Sequence, residues 1–241
     1  MGQVIATMSS ATKSFDKQKV LDNINLELQA GKIVGIIGPS GAGKSTAIRC
    51  LMGMEKLDQG SADIFDTKMP NRKILKRIGY MGQNDALYDD LFGKENLVFF
   101  GSLMGLTGTA LDRAIEKNMQ LVDLLDFLNK PVKTYSGGMK RRLSLAITLL
   151  SNPDLFVLDE PTVGIDPSLR VAIWEQLREL ANNNKGIIMT THVMDEAEKC
   201  DYVGLIIEGK LFAFGSPKEL EEQFKVTSIE EVFLKAEVNA K

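Results

Sequence analysis

Gly38-Pro39-Ser40-Gly41-Ala42-Gly43-Lys44-Ser45-Thr46 is the stretch on which the reading of this chain turns. It follows the apolar run Ile33-Val34-Gly35-Ile36-Ile37 and opens a segment, 44–52, with helical spacing. A near-continuous apolar run marks a buried parallel strand. A glycine-rich loop between such a strand and a helix, closing on Gly-Lys-Ser, is the pattern that wraps phosphates. The glycines allow a tight turn that aims backbone N–H groups inward, and the helix N-terminus adds partial positive charge. Lys44 can then reach the β- and γ-phosphates of a nucleotide, and the Ser45 hydroxyl can ligate Mg²⁺.

Outward from this loop the chain alternates strand and helix signals, which predicts an α/β fold with a mostly parallel sheet. Residues 155–158, Gly186–Thr190 and 203–207 read as further buried strands. Residues 168–181 read as an amphipathic helix with Val171, Trp174, Leu177 and Leu180 on one face. Segments 4–8, 24–28 and 62–65 read as strands, and Asn23 to Leu28 alternates polar with apolar, as in a sheet with one wet face. They predict a small antiparallel sheet beside the core. From about 84 to 150 the pattern is helical, with helices expected at 95–104, 110–127 and 138–150. After Lys218 two short helices are expected, a tail over about 217–241. All of this fits one domain over residues 1–241.

The bulk properties set limits. The chain has 241 residues, 44% hydrophobic and 25% charged, which suits a folded globular protein with a sizeable core. Its formal net charge of −3 argues against a dedicated nucleic-acid binder, and no nucleic-acid partner is expected, although Lys140-Arg141-Arg142 is a local basic patch. Cys50 and Cys200 are far apart and lack metal-ligand spacing, so two small buried thiols are expected. No apolar run approaches the roughly 18 residues of a spanning helix. The first ten residues lack the basic and apolar regions of a signal peptide. The expected location is the cytoplasm, with any work at a membrane requiring a partner there.

Two further motifs carry chemistry. Leu155-Phe156-Val157-Leu158-Asp159-Glu160 is a buried strand ending in two carboxylates, where open α/β sheets bind ligands. Beside a phosphate loop, Asp159 is placed to hold Mg²⁺, directly or through water, and Glu160 to orient the attacking water. Tyr135-Ser136-Gly137-Gly138-Met139 heads a helix, with Ser136 as its N-cap and two glycines that leave the amides unobstructed. This is a second anion-binding helix end, and two such ends suggest two chains sharing one nucleotide.

The order of phosphate loop, Gln83, Ser136-Gly137-Gly138, Leu158-Asp159-Glu160 and His192 resembles the nucleotide-binding domain of ATP-binding-cassette transporters. The resemblance spans roughly residues 4–218. It implies a P-loop ATPase core, an antiparallel β subdomain and a helical subdomain, with ATP and Mg²⁺ bound. By that resemblance Ser136, Gly137 and Gly138 cap the γ-phosphate held by an opposite protomer. Gln83 touches Mg²⁺ and the attacking water, His192 contacts the γ-phosphate, Asp166 crosses the dimer interface, Phe15 stacks on adenine, and Val20 lines the same pocket. Two positions depart from the family pattern: Tyr135 and Met139 stand where leucine and glutamine are usual.

Finer details resemble the ATPases of bacterial exporters for drugs, antibiotics or lipid-like compounds. These are Gly79-Tyr80-Met81-Gly82-Gln83, Leu87-Tyr88, Glu95-Asn96-Leu97, the run Gly137 to Arg142 and the tail Ile229 to Leu234. The implied partners are a separate transmembrane permease and a second ATPase, identical or pseudo-symmetric, with ATP at the interface. The chain would then lie on the inner face of the membrane. The alternatives are a cassette ATPase acting on ribosomes or DNA, an importer ATPase, and a small P-loop kinase. If Phe15 stacks on the base, Phe15→Ala should weaken ATP and GTP similarly, by about 1 kcal/mol. Nucleotide titration measures this, and an unaltered dissociation constant would leave Phe15 a structural aromatic.

Overall fold

The computed structural model describes residues 2–239. At its centre are short, buried, apolar strands: β3 (Ile33–Ile37), β6 (Ile78–Met81), β7 (Leu155–Asp159), β8 (Gly186–Thr190) and β9 (Tyr202–Ile207). They pair in parallel, and β10 (Lys210–Gly215) joins antiparallel at one edge, in the order β10-β9-β3-β8-β7-β6. Side chains alternate across a strand, so each strand feeds two cores. Ile33, Phe156, Leu158, Ile187, Met189 and Leu205 enter one, whereas Val34, Val157, Ile188 and Ile206 enter the other. A strand buried on both faces needs apolar residues at every position, which is why these strands read as continuous runs.

The first core is covered by α2 (Gly93–Leu103), α3 (Gly108–Leu121), α4 (Gly137–Leu149), α5 (Pro167–Asn182), the single turn α6 (Met194–Ala197), α7 (Pro217–Phe224) and α8 (Ile229–Asn239). The second lies between the sheet, α1 (Lys44–Leu51) and a separate antiparallel sheet. That sheet has the order β2-β1-β4-β5, from β1 (Val4–Phe15), β2 (Gln18–Gln29), β4 (Gln59–Ile64) and β5 (Thr67–Lys68). The α/β core with a parallel sheet, the flanking antiparallel sheet and the helical segment all match the sequence expectation. Residues 240 and 241 of the expected tail lie outside the described residues. Among the described residues no helix is long and apolar enough to cross a membrane.

Four expectations are corrected. The first strand does not end near residue 8 but runs to Phe15, because register shifts with β2 let it bend and continue. The helix expected over 110–127 ends at Leu121. Asp123 takes a left-handed φ of +52°, Leu124 N–H donates to the Met119 carbonyl and Asp123 N–H to that of Gln120. This is a Schellman end, closed by buried Leu124 against buried Met119. Val171 is 52% exposed, since a helical wheel puts it about 100° from the centre of the stripe formed by Ile173, Trp174, Leu177 and Ala181. The triplet 140–142 is no basic patch. Lys140 pairs with Asp89 at 2.7 Å, Arg142 donates to the Val122 carbonyl at 3.1 Å, and Arg141 is buried. Strands β5 and β10 add to the elements expected from sequence.

Cys50 and Cys200 are free and buried, as expected. Burial pushes the Cys50 thiol up to about 11 and raises that of Cys200 above its usual range. Only thiolates attack disulfide reagents readily. At about pH 8 the folded chain is therefore expected to leave both cysteines unmodified by an aromatic disulfide, while the denatured chain releases chromophore from both. Prompt release from the folded chain would show that one of these sites opens.

Candidate active site

β3 runs into the glycine-rich loop, which turns into α1 at Gly43. Gly43 has φ +103°, and a Cβ there would stand 2.7 Å from the Val20 carbonyl. Both the dihedral and the close approach demand glycine. No side chain caps α1, so its first-turn N–H groups have no partner within the helix and can meet an anion. Lys44 folds back over the loop, its Nζ donating to the carbonyls of Gly38 at 2.8 Å and Pro39 at 2.9 Å. Burial pulls the Lys44 pKa below its ordinary value, and the charges of Glu160 and Asp159 oppose that fall.

Facing the loop are the ends of β7 and β8, where the parallel ladder sets Asp159 opposite Thr190. Thr190 Oγ1 donates to Asp159 Oδ1 at 2.5 Å, and Ser45 Oγ donates to the same oxygen at 3.1 Å. Glu160 follows in a left-handed conformation, φ +52°, held there by its N–H donating to Thr190 Oγ1 at 2.9 Å. Its Oε1 is 3.4 Å from His192 Nδ1. The Ser45 hydroxyl and Asp159 carboxylate are hard oxygen donors, the chemistry that suits Mg²⁺. Among the described residues no group of three or more His, Cys, Asp and Glu forms a metal centre. A cation here would need phosphate or water oxygens to complete its shell.

Between these walls lies a cleft of about 470 Å³. Val20, Gly38, Ser40, Gly41, Gly43, Lys44, Ser45, Thr46, Gln83, Glu160 and His192 line it. Gln83 also lines a second cleft of about 290 Å³, whose walls include Leu87, Phe100 and Met104 of the helical segment. The walls of the first cleft do not include Pro39, Ala42, Asp159, Phe15, Ser136, Gly137, Gly138 or Asp166. Pro39 and Ala42 belong to the loop itself, and Asp159 stands behind Ser45. Phe15 is 39% exposed at the tip of β1, with Lys13 Nζ 4.8 Å from its ring centroid.

Ser136, Gly137 and Asp166 are each exposed. Ser136 is the N-cap of α4, accepting from Met139 N–H at 3.2 Å. A Cβ on Gly138 would come within 2.7 Å of the Gly164 carbonyl. The helix end therefore abuts the loop that leads into Asp166.

A family model described as "ABC transporter" matches residues 21–163. The chain belongs to the ABC transporter family. It is 37% identical to a Nod factor export ATP-binding protein I of Ralstonia nicotianae, over 90% of this chain and 68% of that protein. It is 35% identical to YbhF of Escherichia coli, a probable multidrug ABC transporter ATP-binding protein, over 92% of this chain and 39% of that one. A solved ATP-binding subunit of an ABC transporter superposes with TM-score 0.90 at 25% identity, over 96% of this chain and 99% of that one. The chain is thus an ABC transporter ATP-binding subunit, from a family of ATP-hydrolysing enzymes.

One side chain of this ABC subunit escaped the sequence reading. The Arg141 guanidinium is 8% exposed. It donates to the carbonyls of Gly82 at 2.7 Å, Gln83 at 3.2 Å, Glu160 at 2.8 Å and Asp159, and to the Asp85 carboxylate at 3.2 Å. It clamps α4 to the end of β7 and to the Gln83 segment. The available signal was its helical phase, since Arg141 shares a face with Leu145 and Thr148, both buried. Arg141→Ala would leave those acceptors without a donor and should cost about 3 kcal/mol of unfolding free energy. Arg141→Lys should recover less than half of that, because an ammonium lacks the planar fork. Urea denaturation measures both, and a loss under about 1 kcal/mol for the alanine variant would deny the clamp.

Proposed function

We propose that this chain hydrolyses ATP to drive export of a compound through a separate membrane permease, which holds it at the inner face of the membrane. We take residues 1–241 as one ATPase domain, with the helical segment about 84–150 as the part that meets the permease. The observation that carries the reading is the cleft itself. An anion-binding loop and helix end form one wall. A Glu160–His192 pair at 3.4 Å forms the other, at the end of the strand whose Asp159 accepts from Ser45. The export assignment is supported by the Nod factor and multidrug relatives, and by the exporter-like segments around Gln83 and in the tail.

In this reading the triphosphate lies along the loop and the start of α1, where unpaired amides and Lys44 meet its charge. Lys44 already points at the loop carbonyls, so phosphate replaces carbonyl oxygens as its acceptors. Ser45, Asp159 and Gln83 would hold Mg²⁺, which offsets charge on the phosphate oxygens when bound. Glu160 accepts a hydrogen bond from the attacking water and orients it, and His192 contacts the γ-phosphate. Phe15 and Val20 receive the base. In-line attack then needs only that water be held, because phosphoryl transfer depends on positioning and charge stabilisation.

The exposed Ser136, Gly137 and Asp166 loop form the partner surface in this reading. ATP bound to one protomer meets the α4 helix end of a second, identical or related, so two molecules of ATP lie between two chains. Their binding energy becomes association energy. Loss of the γ-phosphate lets the dimer open, and the permease reads that change. Gln83, shared by both clefts, is placed to relay it.

Glu160→Gln should keep ATP affinity, fall below about a tenth of the wild-type rate, a loss of more than roughly 1.4 kcal/mol, and accumulate as an ATP-dependent dimer. Adding Ser136→Arg should return it to monomer. Steady-state ATPase assays and size-exclusion chromatography with light scattering test both halves. Near-normal turnover would remove Glu160 from catalysis, and a dimer indifferent to ATP and to Ser136 would put the interface elsewhere.

A further inference from the structure

Below the cleft one buried carboxylate joins the two loops that carry the hydrolytic side chains. Glu196, on α6, is 1% exposed. Thr162 Oγ1 donates to its Oε1 at 2.5 Å, and Thr191 Oγ1 donates to its Oε2 at 2.7 Å. Thr162 lies two residues after Glu160, and Thr191 immediately precedes His192. Thr191 Oγ1 also accepts from Val193 N–H at 3.0 Å, so the turn around His192 is wrapped on one hydroxyl. On the far side Arg170 brings Nε to 3.9 Å from Glu196 Oε1 and donates to the Ile165 carbonyl at 3.2 Å. That Nε is buried and has no hydrogen-bond partner.

The chemistry of this node is directional. A carboxylate can only accept, so both threonine hydroxyl protons must point at it. The hydroxyl lone pairs then face away, and that of Thr191 takes the Val193 N–H. Without Glu196, the side-chain links between the two segments would be the Thr190 hydroxyl at the strand ends, which accepts from the Glu160 N–H, and, further along the loops, the 3.4 Å approach of Glu160 to His192, whose side chain is 56% exposed. An exposed pair at that distance holds geometry weakly.

We propose that Glu196 is a positioning residue for hydrolysis. It locks the segment 160–166 to the His192 turn, so that Glu160, His192 and the interface loop at Asp166 move as one body. The inference rests on the functional reading above, in which Glu160 and His192 flank the water and the γ-phosphate. A phosphate contact made at His192 is felt at Asp166 through Thr191, Glu196 and Thr162. Since misplacement of about 1 Å costs on the order of a hundredfold in rate, loosening the node should lower turnover and spare binding, which belongs to the opposite wall.

The test compares Glu196→Gln, Thr162→Val, Thr162→Ser and the double variant Glu196→Gln/Thr162→Val with wild type and Glu160→Gln. ATP affinity and site number come from equilibrium titration, and turnover is expressed per titrated site so that misfolded molecules drop out. Glu196→Gln keeps the shape and should lose at least about tenfold in kcat, with the ATP dissociation constant within about twofold. Thr162→Ser, which keeps the hydroxyl, should retain the turnover that Thr162→Val loses. The double variant should be no slower than Glu196→Gln, because one link cannot be cut twice. Wild-type turnover per site in Glu196→Gln beside an inactive Glu160→Gln, or losses that multiply in the double variant, would overturn the proposal alone. Full turnover in Glu160→Gln would instead overturn the functional reading beneath it. If Glu196→Gln does not fold, the contrast of Thr162→Ser with Thr162→Val decides, and equal rates for those two would overturn the proposal.

Discussion

Asp159 and Thr190 face each other in a parallel ladder, and the hydrogen bond between their side chains is the point from which the site is organised. Parallel register brings the C-terminal ends of neighbouring strands to one edge of the sheet. At that edge Thr190 donates to Asp159, accepts from the Glu160 N–H, and so fixes the left-handed turn that aims Glu160 at the cleft. Ser45 reaches the same Asp159 oxygen from α1. One residue of slip between β7 and β8 would reverse every side chain on β7 and dissolve both cores as well as the cleft. The buried sheet makes such a slip expensive, and this is how a loop-built site gains precision.

The second constraint is charge. Lys44 satisfies itself on loop carbonyls. Arg141 does the same at a different boundary, donating to backbone oxygens of the β7 end and of the Gln83 segment. Its delocalised charge is more weakly hydrated than an ammonium, so it tolerates burial against carbonyl dipoles. The helical segment is thereby tied to the strand that carries Asp159 and Glu160. A shift of that segment cannot leave the carboxylates unaffected, because Arg141 holds the backbone of both.

Much of the site was legible because its chemistry is local in sequence. The phosphate loop, the Asp159-Glu160 strand end and the Ser136 cap are each written within a few residues, and spacing alone reads them. Arg141 was read as part of a surface patch because charge runs usually face solvent, and nothing in its immediate neighbours betrays the carbonyls it meets. Val171 was read as core because a spacing of three fits a helical face, but the face is centred elsewhere. The Schellman turn at Asp123 was hidden because aspartate seldom takes the left-handed C′ position, and the hydrophobic contact that pays for it spans the turn.

By itself, the sequence determined the parallel core, the flanking sheet, the helical segment and the glycine loop, strand end and helix cap that make up the candidate site. Periodicity and loop composition act over a few residues, and their physics needs no distant partner. Only the tertiary structure decided which of those groups share a cleft. It put Glu160 beside His192, set Gly138 against Gly164, left Ser136 and Asp166 exposed, and buried Glu196 between two threonines from different loops. Those placements depend on strand order and register, and contacts between residues far apart in the chain leave no mark on either one's neighbours.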